Sequence, residues 1–359
     1  MRSEAQLTES IERFRESFWE RWASDRPPLG VVRRDVYMPS LYRSQMLSGK
    51  DLQPEDVGPQ TAMTDYEFGF AERAVSCDDF IAFSAAWRGV PWLEACCGCP
   101  VHCAEGSLAS GAFVESLEQL AELPIPGDNG WFACLLQQTG QLLATASADC
   151  WISPTILRGC SDVLAAMRGQ AGFFVDLCDN PELVGRVAGR VNRLLIDALD
   201  RHFAMVPPKL GGYGDIFGYW APDKTIAIQE DNMCMCASGT YREVFWGHNA
   251  EVVRHLGPCV LFHMHSAGFQ HYREVLALEG LAGIQMTMDP NGPALADMLP
   301  VLQDILEHSR LILWAKQGCQ GLPEVLRRLP KDGLYVIVPD ADIGSDAAFL
   351  ELLRASWKH

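Results

Sequence analysis

The sequence predicts an α/β protein folded as a single (β/α)8 TIM barrel, and three observations predict it. Beyond about residue 211, short unbroken apolar runs alternate with amphipathic stretches, the pattern of parallel strands covered by helices. The number of such units suits a closed barrel better than an open sheet. The chain has 359 residues, enough for one large barrel with extensions. The expected organisation is one domain over residues 1–359, with 1–28 forming an N-terminal helical extension.

The elements follow in order. Ile11, Phe14, Phe18 and Trp22 recur every three or four residues and predict a helix over 8–23 that Pro27 and Pro28 end. A strand is expected at 30–33, and 37–123 reads as irregular. Residues 142–146 read as a strand, 154–167 as a helix and 180–203 as a long helix with Pro181 in its first turn. Strands are then expected at 211–216, 226–230, 259–265, 283–288, 311–315 and 334–338. The intervening helices fall at 240–256, 272–278, 294–308, 322–329 and 345–357. No Gly-rich phosphate loop follows any of these strands.

Bulk properties narrow the partners. The chain has 29 Lys and Arg against 46 Asp and Glu, a formal charge of −17, and no basic cluster, so a phosphate backbone would be repelled and nucleic acid is not an expected partner. No apolar run approaches the roughly 18 residues that span a bilayer, and the N-terminus lacks the apolar core of a secretory signal. A cytoplasmic protein is therefore expected, with its 13 cysteines as reduced thiols. The N-terminal helix could serve a homodimer contact or simply cap the bottom of the barrel.

In a barrel of this kind, active-site groups collect at the C-terminal strand ends. Those ends carry Arg33, Arg34 and Asp35, Asp215, Glu230 and Asp231, His263 and His265, Asp289, Lys316, and Asp340 and Asp342. His263 and His265 stand out, because residues i and i+2 of a strand point the same way and two imidazoles side by side begin a metal site or an acid/base pair. Two histidines and a carboxylate form a common set for zinc or for ferrous iron, with Asp340 or Asp342 as the expected third ligand and Glu230 or Asp231 as competitors. Cys96, Cys97, Cys99 and Cys103 offer a second set of donors, although they lack the paired Cys-x2-Cys spacing of structural zinc sites. For each group the plain alternative is a capping acid, a hydrogen-bonded core histidine or a small buried thiol.

Several segments together resemble the uroporphyrinogen decarboxylase superfamily, which includes decarboxylases and zinc-dependent methyltransferases that act with corrinoid proteins. Residues 28–34 (PLGVVRR) with Tyr37 and Pro39 resemble its opening strand and arginine loop, and residues 94–99 (EACCGC) its Glu-Ala-x-x-Gly-Cys segment. Ser153, Pro154 and Thr155 resemble its Gly-Pro-x-Thr turn. Asp231 followed by residues 241–245 (YREVF) resembles a substrate-site acid ahead of a helix. The similarity runs over nearly the whole chain, and the order of the motifs carries it.

The resemblance implies the same barrel, but the chain departs from both branches. Where the decarboxylases carry Phe-Ser-Asp, this chain has Phe83, Ser84 and Ala85. Where the methyltransferases hold zinc by His-x-Cys and a distant Cys, His263 matches, His265 replaces the first Cys, and residues 338–342 (VPDAD) occupy the region of the second. The resulting expectation is a metal-dependent methyltransferase-like enzyme that activates a small thiol, amine or alkoxide, with zinc or iron bound by His263, His265 and Asp340 or Asp342. Glu230 or Asp231 would orient the substrate or act as base, Arg33 or Arg34 would fix an anionic group, and a methylcorrinoid on a partner protein would be the donor. A metal-free decarboxylase or lyase using His acid/base chemistry, and a noncatalytic barrel that holds a corrinoid or tetrapyrrole, are the alternatives.

Overall fold

A computed structural model describes residues 3–22, 25–32, 49–59, 77–87, 89–104, 107–125, 129–315, 321–339 and 347–357. The N-terminal helix Glu4–Arg13 begins at a capping box: the Gln6 amide N–H donates to the Ser3 hydroxyl and the Ser3 N–H to the Gln6 side chain. It continues as a wider π turn over Phe14–Trp19. Phe14 and Phe18 are fully buried, with ring centroids 4.9 and 6.5 Å from that of Tyr335. Arg310 donates to the carbonyls of Phe18 and Trp19, which the end of the helix leaves without intrahelical partners.

Fourteen strands are described. They are β1 (Leu29–Val31), β2 (Lys50–Leu52), β3 (Cys77–Asp78), β4 (Phe83–Ser84), β5 (Val101–Ala104), β6 (Ser107–Ser110), β7 (Trp151–Ile152), β8 (Tyr213–Gly214), β9 (Trp220–Ala221), β10 (Ala227–Gln229), β11 (Leu261–His265), β12 (Gly283–Thr287), β13 (Arg310–Trp314) and β14 (Leu334–Val338). The central sheet runs β10-β11-β12-β13-β14-β1-β3, parallel from β10 to β1 and antiparallel only at β3. β4 and β7 form a separate parallel pair, and an isolated parallel bridge joins Arg158 to Gln229 on β10. Among the described residues no hydrogen-bonded ring closes these strands into a barrel.

Both faces of the sheet are dry, which is why its strands read as unbroken apolar runs. All five residues of β14 are buried. On one face Leu261, Ile312, Tyr335 and Ile337 pack with Phe14, Phe217 and Tyr219. On the other, Phe262, Met264, Ile284, Met286, Leu311, Leu313 and Val336 pack against the surrounding helices. Each such side chain contributes about 1.5–3 kcal/mol of burial.

The first face carries an unusual occupant, the β8–β9 hairpin. Gly218 at its turn has φ +67° and presses on Phe80, so that a Cβ there would stand 2.1 Å from the Phe80 ring. Its carbonyl accepts from the Ile81 N–H and the Tyr335 hydroxyl at 2.8 and 3.0 Å. The hairpin thereby sets Phe217 next to the C-terminal end of β11.

Three expectations need correction. Residues 142–146 end the helix Gly130–Thr145 rather than forming a strand; the Asn129 side chain caps that helix by accepting from the Trp131 and Phe132 N–H groups. The strand expected at 211–216 shrinks to β8 of the hairpin. The stretch 37–123, read as irregular, contains β2–β6 and the helices Trp92–Cys96 and Leu117–Glu122 within its described part.

Candidate metal centre

His263 and His265 project from one face of β11, as the period of two requires. β12 supplies their outer partners through the parallel register, in which His263 lies opposite Gln285 and His265 opposite Thr287. The Gln285 side-chain oxygen accepts the His263 Nδ1–H, and its NH2 donates to the Thr287 hydroxyl at 3.1 Å, which fixes which end of the amide faces the ring. His265 Nδ1 lies 2.6 Å from Asp289 Oδ1, just past β12. The other Asp289 oxygen accepts from the Ser266 hydroxyl and the Ala267 N–H at 3.3 and 3.1 Å.

With both Nδ1 atoms so engaged, both Nε2 lone pairs turn to the same point. They stand 3.2 Å apart. Asp231 Oδ1 faces them at 3.8 Å from His263 Nε2 and 3.7 Å from His265 Nε2. Three donors at these separations repel one another unless a proton or a cation lies among them. Donors around a tetrahedral ion with bonds of about 2.0 Å stand about 3.3 Å apart, so the set fits a divalent ion with one side open. Two imidazoles and a carboxylate suit zinc or ferrous iron.

Burial pushes the His263 pKa down and the neighbouring His265 lowers it further, while Asp231 opposes both. A neutral imidazole is the form that binds a metal. Phe217 stacks on the ring with centroids 5.6 Å apart and planes 21° from parallel, and Trp314 meets Phe217 edge-on. This apolar cover keeps water from one side of His263.

Asp231 opens a 3-10 turn, Asp231–Met235, that follows β10. Its position is set from behind by Asp162, a buried residue of the helix Cys160–Arg168, which accepts from the N–H groups of Asp231 and Asn232 at 2.9 and 2.8 Å and from the Asn232 side chain at 2.8 Å. Burial, then Asp231 and Glu230, hold the Asp162 pKa well above the usual carboxylate range.

Glu230 is fully buried and faces away from the histidines. It accepts from the Ser161 N–H at 2.9 Å, from the Ser161 hydroxyl, and from the Cys160 thiol at 3.4 Å, filling the first turn of Cys160–Arg168. It is placed as a cap for that turn. Gly159 is what lets it approach, since a Cβ there would lie 2.4 Å from the Glu230 carboxyl carbon.

Of the expected ligands, the structure brings His263 and His265 together and adds Asp231. Arg33, Arg34, Asp35, Lys316, Asp340 and Asp342 lie outside the described residues. Cys96, Cys97, Cys99 and Cys103 are buried, and burial followed by Glu94 pushes the Cys97 thiol up to about 12. No cysteine joins a group of three potential metal donors among the described residues. Gln285, Asp162 and Phe217 went unnoticed in the sequence; only the alternation of β12, once its register with β11 is known, would have singled out Gln285.

No family model matches the sequence, and no curated protein matches it. Among solved structures, a methyltransferase from Methanosarcina mazei shares the fold, with a TM-score of 0.61 and 12% identity over 98% of each chain. At that identity the likeness extends to the fold alone. The described residues contain no helix long and apolar enough to cross a membrane.

Proposed function

We propose that the protein is a metal-dependent methyltransferase-like enzyme of the (β/α)8 class. Asp231, His263 and His265 would hold a divalent ion, zinc or iron, and the substrate would be a small thiol, amine or alkoxide. The observation that carries the reading is the convergence of these three donors from two adjacent strand ends, with Nε2 to Nε2 3.2 Å and the carboxylate oxygen 3.7 and 3.8 Å away. A bound divalent ion supplies Lewis acidity that lowers the pKa of the substrate nucleophile.

The chain's own residues then have distinct tasks. Gln285 and Asp289 hold the protons on the two Nδ1 atoms and so keep both Nε2 lone pairs directed inward. The Asp289 carboxylate makes His265 the stronger donor. Phe217 and Trp314 exclude water beside His263. Asp162 fixes the backbone that carries Asp231. Compared with thiolates, this donor set favours a harder ion.

Closure of the barrel belongs to the same reading. Taken in chain order, β1, β4, β7 and β10–β14 would supply eight parallel strands, and the β4–β7 pair with the Arg158–Gln229 bridge supports that order. A methylcorrinoid on a separate protein is the proposed methyl donor, and Arg33, Arg34, Asp340 and Asp342 remain proposed contributors at the mouth. The test is substitution with cobalt(II): adding a small thiol should raise a thiolate-to-cobalt charge-transfer band. A folded, cobalt-loaded protein whose spectrum ignores every thiol, amine and alcohol tried would sink the proposal.

A further inference from the structure

A cavity of about 440 Å3 adjoins the metal centre and shares Asp231 with it. We propose that this cavity receives a small zwitterion of the amino-acid type, with its carboxylate on Arg158 and its ammonium group on Asp162 and Asp231. The assignment rests on the reading of His263, His265 and Asp231 as the place where the substrate nucleophile is activated.

The polar wall of the cavity is formed by Ser110, Arg158, Asp162, Gln170, Asp231 and Asn232. Arg158 is the one basic side chain among the described lining residues. Its Nη1 lies 3.2 Å from Glu94 Oε1, and Glu94 is its one ion-pair partner among the described residues. Glu94 is 1% exposed at the side chain, whereas Arg158 is 37% exposed. A guanidinium carries five N–H donors in a planar fork, so one edge can be held by Glu94 while the rest face the cavity. A fork of that kind takes a carboxylate with two parallel hydrogen bonds.

A plain acid would leave the acceptors beside that fork without a donor. Glu94 pairs with Arg158, and the carboxyl groups of Asp162 and Asp231 line the same cavity beside it. Those two carboxyl groups are complemented by a ligand that carries N–H donors near its own carboxylate. The acceptors are in place: Asp162 Oδ2 takes the Asp231 N–H at 2.9 Å and Asp231 Oδ2 takes the Gln229 side chain at 3.0 Å, and each carboxylate oxygen has a second lone pair to offer. Because Asp231 belongs to both spaces, a ligand seated here has its third substituent within reach of the two histidines. An amino acid whose side chain ends in a thiol, hydroxyl or amine meets all three demands.

The test uses three thioethers that differ only in their charged groups: S-methyl-L-cysteine, 3-(methylthio)propionate and 2-(methylthio)ethylamine. Calorimetric titration of the purified protein, metal-free and zinc-loaded, should give the amino acid an affinity at least about tenfold above either analogue, since each lost contact to a charged group is worth a factor of that order. Equal binding of the acid or of the amine overturns the zwitterion, and so does failure of all three to bind. In Arg158→Lys, and in the Glu94→Gln/Arg158→Gln pair that leaves no unpaired buried acid, the amino acid should lose about tenfold in affinity while the amine does not. Undiminished amino-acid binding in either variant, once folded, overturns the role of Arg158. A protein that discriminates the three ligands but holds no metal retires the activation reading and leaves this site standing. A metal-loaded protein that does not discriminate them does the reverse.

Discussion

The Nδ1 atom of His265 sits 2.6 Å from Asp289 Oδ1, and that contact decides which ring nitrogen of His265 is presented to Asp231. Asp289 is itself anchored by the Ser266 hydroxyl and the Ala267 N–H, so the ring is held by a carboxylate that cannot easily turn. Asp289→Asn should keep the fold and weaken divalent-metal affinity about 10–100-fold. Gln285→Leu should act similarly through His263. Competition with a chelating dye measures both, and unchanged affinity in the two variants would remove the outer partners from the account.

Glu230 makes a structural prediction through Gly159. A methyl group on Gly159 would meet the Glu230 carboxyl carbon at 2.4 Å and the Gln229 carbonyl at 2.8 Å, neither of which can retreat from the buried helix start. Gly159→Ala should therefore cost about 1–3 kcal/mol in urea denaturation. Gly247→Ala is the control: nothing lies within 4 Å of a Cβ there, and the variant should match or slightly exceed wild type.

Two buried groups set opposing pH slopes. Burial lowers the His202 pKa from 6.5 to about 3, so the unfolded chain takes up a proton that the native state refuses, and this contribution is lost as pH falls from 6.5 toward 3. Burial raises the Asp215 pKa from 3.8 to about 7, so the unfolded chain releases a proton that the native state keeps, and stability is lost as pH rises across that window. The two slopes offset one another over the range they share. Asp215→Asn, which can still accept from the Phe217 N–H, should gain stability above pH 7 and expose the acid sensitivity of His202, at most about 1.4 kcal/mol per pH unit. A flat stability profile between pH 4 and 6 in that variant would contradict the assignment.

The parallel sheet was legible because burial on both faces writes each strand as an apolar run: β11–β14 fall within a residue or two of where the sequence places them. The helix Gly130–Thr145 was not, because Gln137, Gln138, Thr139 and Gly140 break its apolar stripe and leave a short run that imitates a strand. His263 and His265 could be read as a pair, since one strand determines their common direction. The third donor could not, because the choice among Asp231, Glu230 and more distant acids depends on the register of β10 against β11, which sets Gln229 opposite His263. Glu230, one position earlier, faces the opposite way and caps a helix instead. Asp162 lies 69 residues from Asp231 in sequence and has no local signal at all.

A metal ion held by Asp231, His263 and His265 has to appear in the elemental composition of the purified protein. Elemental analysis of protein purified without a polyhistidine tag tests it most directly, with wild type set beside Asp231→Ala and the His263→Ala/His265→Ala pair. About one zinc or iron per chain is expected in wild type, with a marked loss in Asp231→Ala and none in the double variant. A metal-free wild type, or a folded double variant that keeps its metal, would contradict it.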